Sequence, residues 1–281
     1  MIALYGLIGL LGILVLAPNT FVGADLAVFQ QAGADLFQLG NPYASNETAH
    51  YNFQYRYPPL LAMVIPVLGW PPLWYALLAA STAAVFYFWY RDAGWFGLLP
   101  IVMLAGPWGQ PLLNGNVQPI LMLLLALVPR YARVGPVSLA VATMLKLHPA
   151  LGAVWFVGRR DWRGLAWYAG AIAALLIVQA PWMGLFLDYY RTDSDASITL
   201  YLGWGLRLAG DTVWIAATIV SGILAWRFAA SPYGWMLNLV FQLTALPRLL
   251  PTNLALLLAA PFPSRRRVAQ SRTQTAATSS E

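Results

Sequence analysis

The stretch GLAWYAGAIAALLIVQAPWMGLFL, Gly164 to Leu187, contains no charged side chain. It is longer than the ~20 apolar residues that a helix needs to cross the hydrocarbon core of a bilayer. Inside a bilayer each backbone amide and carbonyl must find its partner within the protein, and a helix satisfies nearly all of them within one segment. The stretch therefore predicts a transmembrane helix.

The composition of the whole chain points to the same class of protein. Of its 281 residues, 60% are hydrophobic and 9% are charged, whereas soluble domains carry about 25% charged residues. The net charge of +6 comes from basic residues spread along the chain, with only Arg265–Arg267 forming a run, so the charge does not favour a nucleic-acid partner. The chain has no cysteine, which excludes disulfides and thiolate metal sites.

Further apolar windows surround this stretch, and several are shorter than an upright membrane span, with proline or glycine at their ends. We expect an all-α polytopic membrane protein with about ten transmembrane helices, some of them short or broken. The windows are residues 2–17, 72–90, 93–108, 115–129, 134–147, 149–158, 164–187, 212–229, 232–247 and 249–263.

The positions of the basic residues predict the orientation of this bundle. If the N-terminus is cytoplasmic and every window crosses, most of the 16 lysines and arginines lie on the cytoplasmic side, as the positive-inside rule requires. This arrangement holds only if the segment Tyr57 to Trp70 does not cross, and its two proline sites favour a re-entrant or interfacial helix. The segment Met1 to Pro18 lacks a basic start, so we interpret it as a retained first helix rather than a signal peptide.

The apolar windows divide the chain into one transmembrane domain and a C-terminal tail. We expect residues 1–263 to form one transmembrane domain, in which residues 18–71 are the first extracytoplasmic loop and carry interfacial helices. Residues 264–281 are expected to be a disordered cytoplasmic tail, with arginines near the lipid headgroups.

The extracytoplasmic loop begins with VGADLAVFQQAGADLFQLGNPY, Val22 to Tyr43. Its apolar spacing predicts a helix that lies on the membrane surface and ends at Gly40-Asn41-Pro42. Asp25 is in its first turn, either as the helix N-cap or as a general base at the membrane edge, while Asp35 lies off the apolar face and is expected to be solvated. The apolar stripe consists of Leu26, Phe29, Gly33, Leu36 and Phe37.

Two later polar segments are candidates for ligand binding. In FQYRYPPLL, Arg56 is either an interfacial anchor flanked by aromatic residues such as Tyr57 or a ligand for phosphate. In the interruption NGNVQP, the side chains of Asn114, Asn116 and Gln118 either complete a loop and helix caps or line a sugar pocket.

The segment ATMLKLHPALGAVWF places two ionisable residues in an apolar run. Lys146 is either a snorkelling lysine at a hairpin tip or a charge partner for phosphate, because ionisable groups at membrane depth are costly and commonly functional. His148 is then a hydrogen-bond donor or a proton carrier. Arg248, between two prolines near the outer face, is a further phosphate candidate.

Other local sequence patterns do not indicate a catalytic or binding site. Asp193 and Asp195 have the D-x-D spacing of metal-dependent nucleotide-sugar enzymes, but the expected topology puts them outside the cell, so we interpret them as part of a solvated loop. Asn46 begins an N-x-T sequon. No G-x-S-x-G, H-E-x-x-H, Walker or Rossmann pattern occurs.

The ordered set of these segments resembles the GT-C superfamily of multi-pass glycosyltransferases, and in particular glycosyltransferase family 87. The features that carry the resemblance extend to about residue 185. They are GADLAVFQQA, GNPY, YRYPPLL, NGNVQP, LAVATMLKLHP and the arginine-rich turn GRRDWRG.

The resemblance implies a mannosyltransferase that uses a polyprenyl-phosphate mannose donor at the extracytoplasmic face of the plasma membrane. In such an enzyme Asp25 matches the catalytic base of an inverting transfer to a glycolipid or glycan acceptor. Lys146 and Arg56 match basic positions beside the leaving phosphate, and His148 follows them. No cofactor or metal ion is implied. Two alternatives remain open, namely a transporter or flippase of a lipid-linked saccharide and a non-catalytic partner of a larger transferase.

Overall fold

A computed structural model describes residues 22–47, 54–199, 206–246 and 249–261 of the chain, and in these ranges every regular element is a helix, as the sequence predicts. Five of the helices are short 3-10 helices, at Ala44–Glu47, Gly94–Gly97, His148–Gly152, Leu206–Ala209 and Pro251–Ala259. The α-helices are α1 Ala24–Leu39, α2 Pro59–Leu68, α3 Pro71–Ala93, α4 Leu98–Met103, α5 Ala105–Asn114, α6 Gln118–Leu127, α7 Val134–Leu145, α8 Ala153–Gly158, α9 Trp162–Thr199, α10 Asp211–Arg227 and α11 Gly234–Thr244.

Two helical stretches of the described chain are long and apolar enough to cross a membrane, Pro71–Met103 and Trp162–Arg191. The second contains the stretch Gly164 to Leu187 and continues through Pro181. The first joins windows 72–90 and 93–108, which the sequence separated, because the 3-10 helix Gly94–Gly97 links α3 directly to α4. The larger number of about ten spans stays a prediction.

The remaining helices are short because proline and glycine end them. Helix α5 stops at Gly115, which has a positive φ of 75°, a conformation that glycine adopts without steric cost. Helix α6 begins with a proline near its first position. Helix α7 ends where Lys146 becomes extended, with φ −158° and ψ 128°, just before Pro149. These breaks place polar residues between short helices.

Helix α2 fits the expected non-crossing segment. It has ten residues, about 15 Å of helix, which is half the thickness of the hydrocarbon core. It packs against α1, where Gly33 lies so close to Ile65 that no side chain would fit between them. Its first turn is fixed to the long helix α9, because the amide of Leu60 donates to Gln179 Oε1 at 2.8 Å.

The apolar stripe of α1 is mostly buried within the protein. Leu26, Phe29, Gly33 and Leu36 are buried, but Phe37 is 69% exposed. The buried face of α1 also includes Asp35.

The prediction that Asp35 is solvated is wrong. Its carboxylate is 5% exposed and accepts hydrogen bonds from Gln31 Nε2 at 2.8 Å and from the amide of Ser45 at 3.0 Å. Asp35 therefore binds the 3-10 helix Ala44–Glu47 back onto α1.

A buried ion pair joins α3 to the turn that follows α6. Arg130 Nη2 lies 3.2 Å from Asp92 Oδ2, and both side chains are almost inaccessible to solvent. The Arg130 guanidinium also lies 4.7 Å from the centre of the Phe88 ring and donates to the carbonyls of Ala126 and Ala259 at 2.8 and 3.4 Å. One arginine thus connects α3, α6 and the 3-10 helix Pro251–Ala259.

Candidate active site

The beginning of α1 and the end of α5 meet at the site. The amide of Gly23 donates to the carbonyl of Leu113 at 3.1 Å. Two side chains of α3 fasten the same turn, because Trp74 Nε1 donates to the carbonyl of Gly115 at 2.8 Å and Tyr75 Oη to that of Leu113 at 3.0 Å. Three separate parts of the chain therefore fix one junction.

Gly115 allows this close approach. A β-carbon at Gly115 would lie 2.9 Å from Leu26 Cβ on α1, closer than real side chains come. Gly23, at the other side of the junction, also has a positive φ, of 76°. Glycine is required at Gly115 both for the left-handed turn and for the contact between the helices.

Asp25 projects from the first turn of α1 toward this junction. The N-cap of α1 is Gly23 and makes no side-chain capping bond, so the structure does not support the interpretation of Asp25 as the N-cap. Instead, Asp25 Oδ2 accepts a hydrogen bond from Asn116 Nδ2 at 3.1 Å. The side chain is partly exposed, which leaves carboxylate lone pairs available to another donor.

Asn116 orients the Asp25 carboxylate. Its Oδ1 accepts from the amide of Gln118 at 2.9 Å, and this fixes which end of the amide faces Asp25. Its Nδ2 lies 3.1 Å from Asp25 Oδ2 and 3.2 Å from Tyr57 Oη. The loop-and-cap role that the sequence allowed for Asn116 is thus present, and in addition the residue holds the carboxylate in place.

The two other polar residues of this interruption have unused hydrogen-bonding atoms. Asn114 Oδ1 and Gln118 Nε2 are buried, and neither atom has a hydrogen-bond partner within the described ranges. Such atoms are costly to leave unpaired. One is an acceptor and the other a donor, which is the mixture that sugar hydroxyls require.

Tyr57 closes the site from the side of α2. Its ring packs edge-on against Phe29 with ring centroids 5.1 Å apart, and its backbone carbonyl accepts from Tyr43 Oη at 2.9 Å. Arg56, the preceding residue, donates from Nη2 to Gln54 Oε1 at 3.0 Å. Arg56 and Tyr57 are both partly buried, and the role of Arg56 as an interfacial anchor or a phosphate ligand stays a prediction.

Lys146 approaches Asp25 from the break after α7, close enough for its charge to lower the pKa of Asp25. His148 lies near Lys146. No salt bridge or hydrogen bond of the Lys146 amine to a protein acceptor occurs in the part of the chain that the structure describes. His148 Nε2 is buried, likewise with no described hydrogen-bond partner.

Burial is the largest cause of the pKa shifts at this site. It raises the pKa of Asp25, although the Asn116 hydrogen bond and the positive charge of Lys146 oppose the shift. It lowers the pKa of His148 to about 3, reinforced by the charge of Lys146. At neutral pH His148 is therefore neutral, which favours a hydrogen-bonding role for His148 over that of a charged proton carrier.

Arg248 lies outside the described residues, and so do the side chains of Asp193 and Asp195. Asn46 is engaged in the fold, since its side chain exchanges two hydrogen bonds of 2.8 Å with the backbone of Tyr55.

Three residues that the sequence patterns did not indicate position the site, namely Gly23, Trp74 and Tyr75. Of these, only the glycine directly before a helix carried a signal, since glycine there favours a left-handed turn. No cluster of three or more histidine, cysteine, aspartate or glutamate residues that could hold a metal ion occurs among the described residues.

Comparison with known proteins adds one finding. The sequence model of glycosyltransferase family 87 matches residues 55–279, so the match extends well beyond residue 185, where the resemblance was expected to fade. The matched range includes Tyr57, Asn116 and Lys146, while Asp25 precedes it. No curated protein and no solved structure matches the chain significantly. Because the family match covers most of the chain, the protein belongs to glycosyltransferase family 87 and is a membrane glycosyltransferase.

Proposed function

We propose that this protein transfers mannose from a polyprenyl-phosphate donor to a lipid-linked or glycan acceptor, with inversion at the anomeric carbon. The observation that carries the proposal is the arrangement around Asp25. An oriented, partly buried carboxylate lies near a lysine amine that forms no salt bridge with a described residue. A transfer from a sugar phosphate needs these two charges, one for the attacking hydroxyl and one for the departing phosphate.

In the proposed reaction Asp25 acts as the general base. The acceptor hydroxyl oxygen forms a bond to the anomeric carbon as the bond from that carbon to the phosphate oxygen breaks. The hydroxyl proton passes to the Asp25 carboxylate, and the bonding electrons leave with polyprenyl phosphate. Burial supports this role because it raises the pKa of Asp25 and so makes the carboxylate a stronger base.

Lys146 is the proposed electrostatic partner of the leaving phosphate. Negative charge grows on the phosphate as the bond breaks, and a fixed cation in a site that excludes water stabilises that charge most effectively. We assign His148 as a hydrogen-bond donor to the same phosphate, since its unpaired Nε2 and neutral state fit that task. From their sequence positions, Arg56 and Arg248 complete the basic set.

The sugar and acceptor pocket is proposed to include Asn114, Gln118 and Tyr57. The unpaired Asn114 Oδ1 and Gln118 Nε2 offer an acceptor and a donor for hydroxyl groups. Tyr57 Oη accepts from Asn116, so its own proton remains available for a substrate oxygen. Asn116, whose amide is engaged with Asp25 and Gln118, is a positioning residue.

The proposed location is a multi-pass plasma-membrane protein of about ten transmembrane helices, with both termini cytoplasmic and the site on the extracytoplasmic face. The distribution of arginines supports this orientation. The length of α2 supports it too, since ten residues are too few to cross and would otherwise reverse the rest of the chain.

The test is a transfer assay with purified protein in detergent. Polyprenyl-phosphate mannose and polyprenyl-phosphate glucose are each offered with glycolipid acceptors, and the product is identified by mass and by the configuration of its new bond. We expect mannosyl transfer with inversion. A product with retained configuration, or glucose preferred over mannose, would contradict the proposal.

The same assay separates the two alternatives. A flippase moves lipid-linked saccharide across vesicles but forms no new glycosidic bond in detergent. A non-catalytic partner forms product only after a second transferase is added. Transfer by the isolated chain would exclude both.

A further inference from the structure

A groove lies on the outer surface of the bundle, away from the candidate active site. It has a volume of about 460 Å³ and lies between α8, α10 and α11. Its lining is almost entirely apolar, with Val154, Val157, Thr218, Ile219, Gly222, Ile223, Trp226 and Phe241.

The groove owes its depth partly to Gly222. A β-carbon at Gly222 would lie 3.0 Å from the Phe241 ring, so a side chain there would occupy the space above that ring. The apolar residues around it are accessible, with Ile219 and Ile223 56% and 54% exposed. In a membrane protein such a surface faces hydrocarbon chains.

Two arginines follow lining residues of the groove in sequence. Val157 and Trp226 line the groove, and Gly158 packs tightly against the backbone of Trp226. The next residues along the chain are Arg159 after α8 and Arg227 at the end of α10. Both are exposed.

The positive charges of these two arginines are not neutralised by a carboxylate of any described residue. The Arg159 guanidinium lies 4.7 Å from the centre of the Trp155 ring, which fixes it beside α8. Neither it nor Arg227 forms a salt bridge with any described residue. Two exposed cations beside an apolar groove match a molecule with an anionic head and a hydrocarbon chain.

We propose that this groove binds an anionic phospholipid. One acyl chain would lie along α10 over Gly222, with the headgroup phosphate between Arg159 and Arg227. This site is separate from the transfer reaction and would fasten the short helix α8 to α10 through the surrounding lipid.

The test is native mass spectrometry of the full chain released from detergent, titrated with dioleoyl phosphatidylglycerol or with dioleoyl phosphatidylcholine. We expect phosphatidylglycerol adducts at lower lipid concentration. A basic residue near an anionic lipid surface contributes about fivefold to affinity. Replacing both Arg159→Gln and Arg227→Gln should therefore weaken phosphatidylglycerol binding by tenfold or more and leave phosphatidylcholine binding unchanged.

Two further variants test the location. Gly222→Leu should reduce the binding of both lipids, because it fills the groove. Arg133→Gln, which replaces an exposed arginine that does not adjoin the groove, should change neither. The proposal is overturned if the two lipids bind equally, if the double arginine variant keeps its preference, or if the spectra show instead a dimer that Gly222→Leu disrupts, since a second copy would then occupy the groove.

Discussion

The contact between Gly115 and α1 gives the sharpest test of how the site is assembled. In Gly115→Ala the new methyl group must adopt a φ near 75°, which costs about 1–2 kcal/mol for a residue with a side chain. It must also displace Leu26, since the β-carbons would be 2.9 Å apart, and overpacking of this kind costs about 1–3 kcal/mol. The expected loss of stability is about 2–5 kcal/mol.

Gly40→Ala is the matched control. Gly40 also ends a helix with a positive φ, of 70°, but a β-carbon there would meet nothing within 4 Å. Gly40→Ala should lower the free energy of unfolding only by the cost of placing alanine at a positive φ, about 1–2 kcal/mol. The difference between the two variants therefore measures the contact of Gly115 with α1.

Thermal unfolding in detergent and a mannosyl transfer assay together check this prediction. Each kcal/mol should lower Tm by about 2–4 °C in a chain of this size class. Gly115→Ala should also slow transfer by up to about 100-fold, because it moves Asp25 relative to Asn116 and small displacements of reacting groups are costly. If both variants lower Tm equally and transfer at the same rate, the junction does not position the site.

Three further predictions concern charge. Transfer should show a bell-shaped pH dependence, lost at low pH as Asp25 is protonated, with the acidic limb above the usual range of a carboxyl because burial raises the pKa of Asp25, and lost at high pH as Lys146 loses its proton; in Lys146→Arg the loss at high pH should disappear, since arginine stays charged. Asn116→Ala should move the acidic limb of the profile to higher pH, because the lost hydrogen bond lowered the pKa of Asp25, whereas a purely structural role would lower the rate without moving the limb. Arg130→Met should lower the free energy of unfolding by up to about 3–5 kcal/mol, because the buried Asp92 carboxylate loses its buried cation and keeps the more exposed Arg91 at 3.3 Å, and Arg130→Met combined with Asp92→Leu should recover part of that loss; thermal unfolding of the two variants checks both.

The helical class and the family followed from the sequence, because composition and long apolar runs report directly on the surroundings of a chain. The sequence also indicated four residues of the site individually, because each is polar in an apolar context: Asp25, Tyr57, Asn116 and Lys146. Their mutual arrangement was not indicated, since Asp25 and Asn116 are 91 positions apart and periodicity describes only local faces.

The failures have a similar cause. Asp35 was expected in solvent because a helical wheel does not show the Ser45 amide, which the chain brings back to it after the turn at Gly40. The windows 72–90 and 93–108 were separated in the sequence because glycines interrupt the apolar run, whereas the 3-10 helix Gly94–Gly97 continues the helical stretch.

The rate of mannosyl transfer by Asp25→Asn decides whether Asp25 is the catalytic base. Asparagine keeps the size of the side chain and can still accept the hydrogen bond from Asn116, but it cannot take a proton. Removal of a general base should slow transfer by about 10²–10⁴-fold, with Tm and donor affinity unchanged. Asp211→Asn, at an exposed carboxylate paired with Arg207, should transfer at the normal rate. Normal transfer by a folded Asp25→Asn variant would contradict the assignment of Asp25.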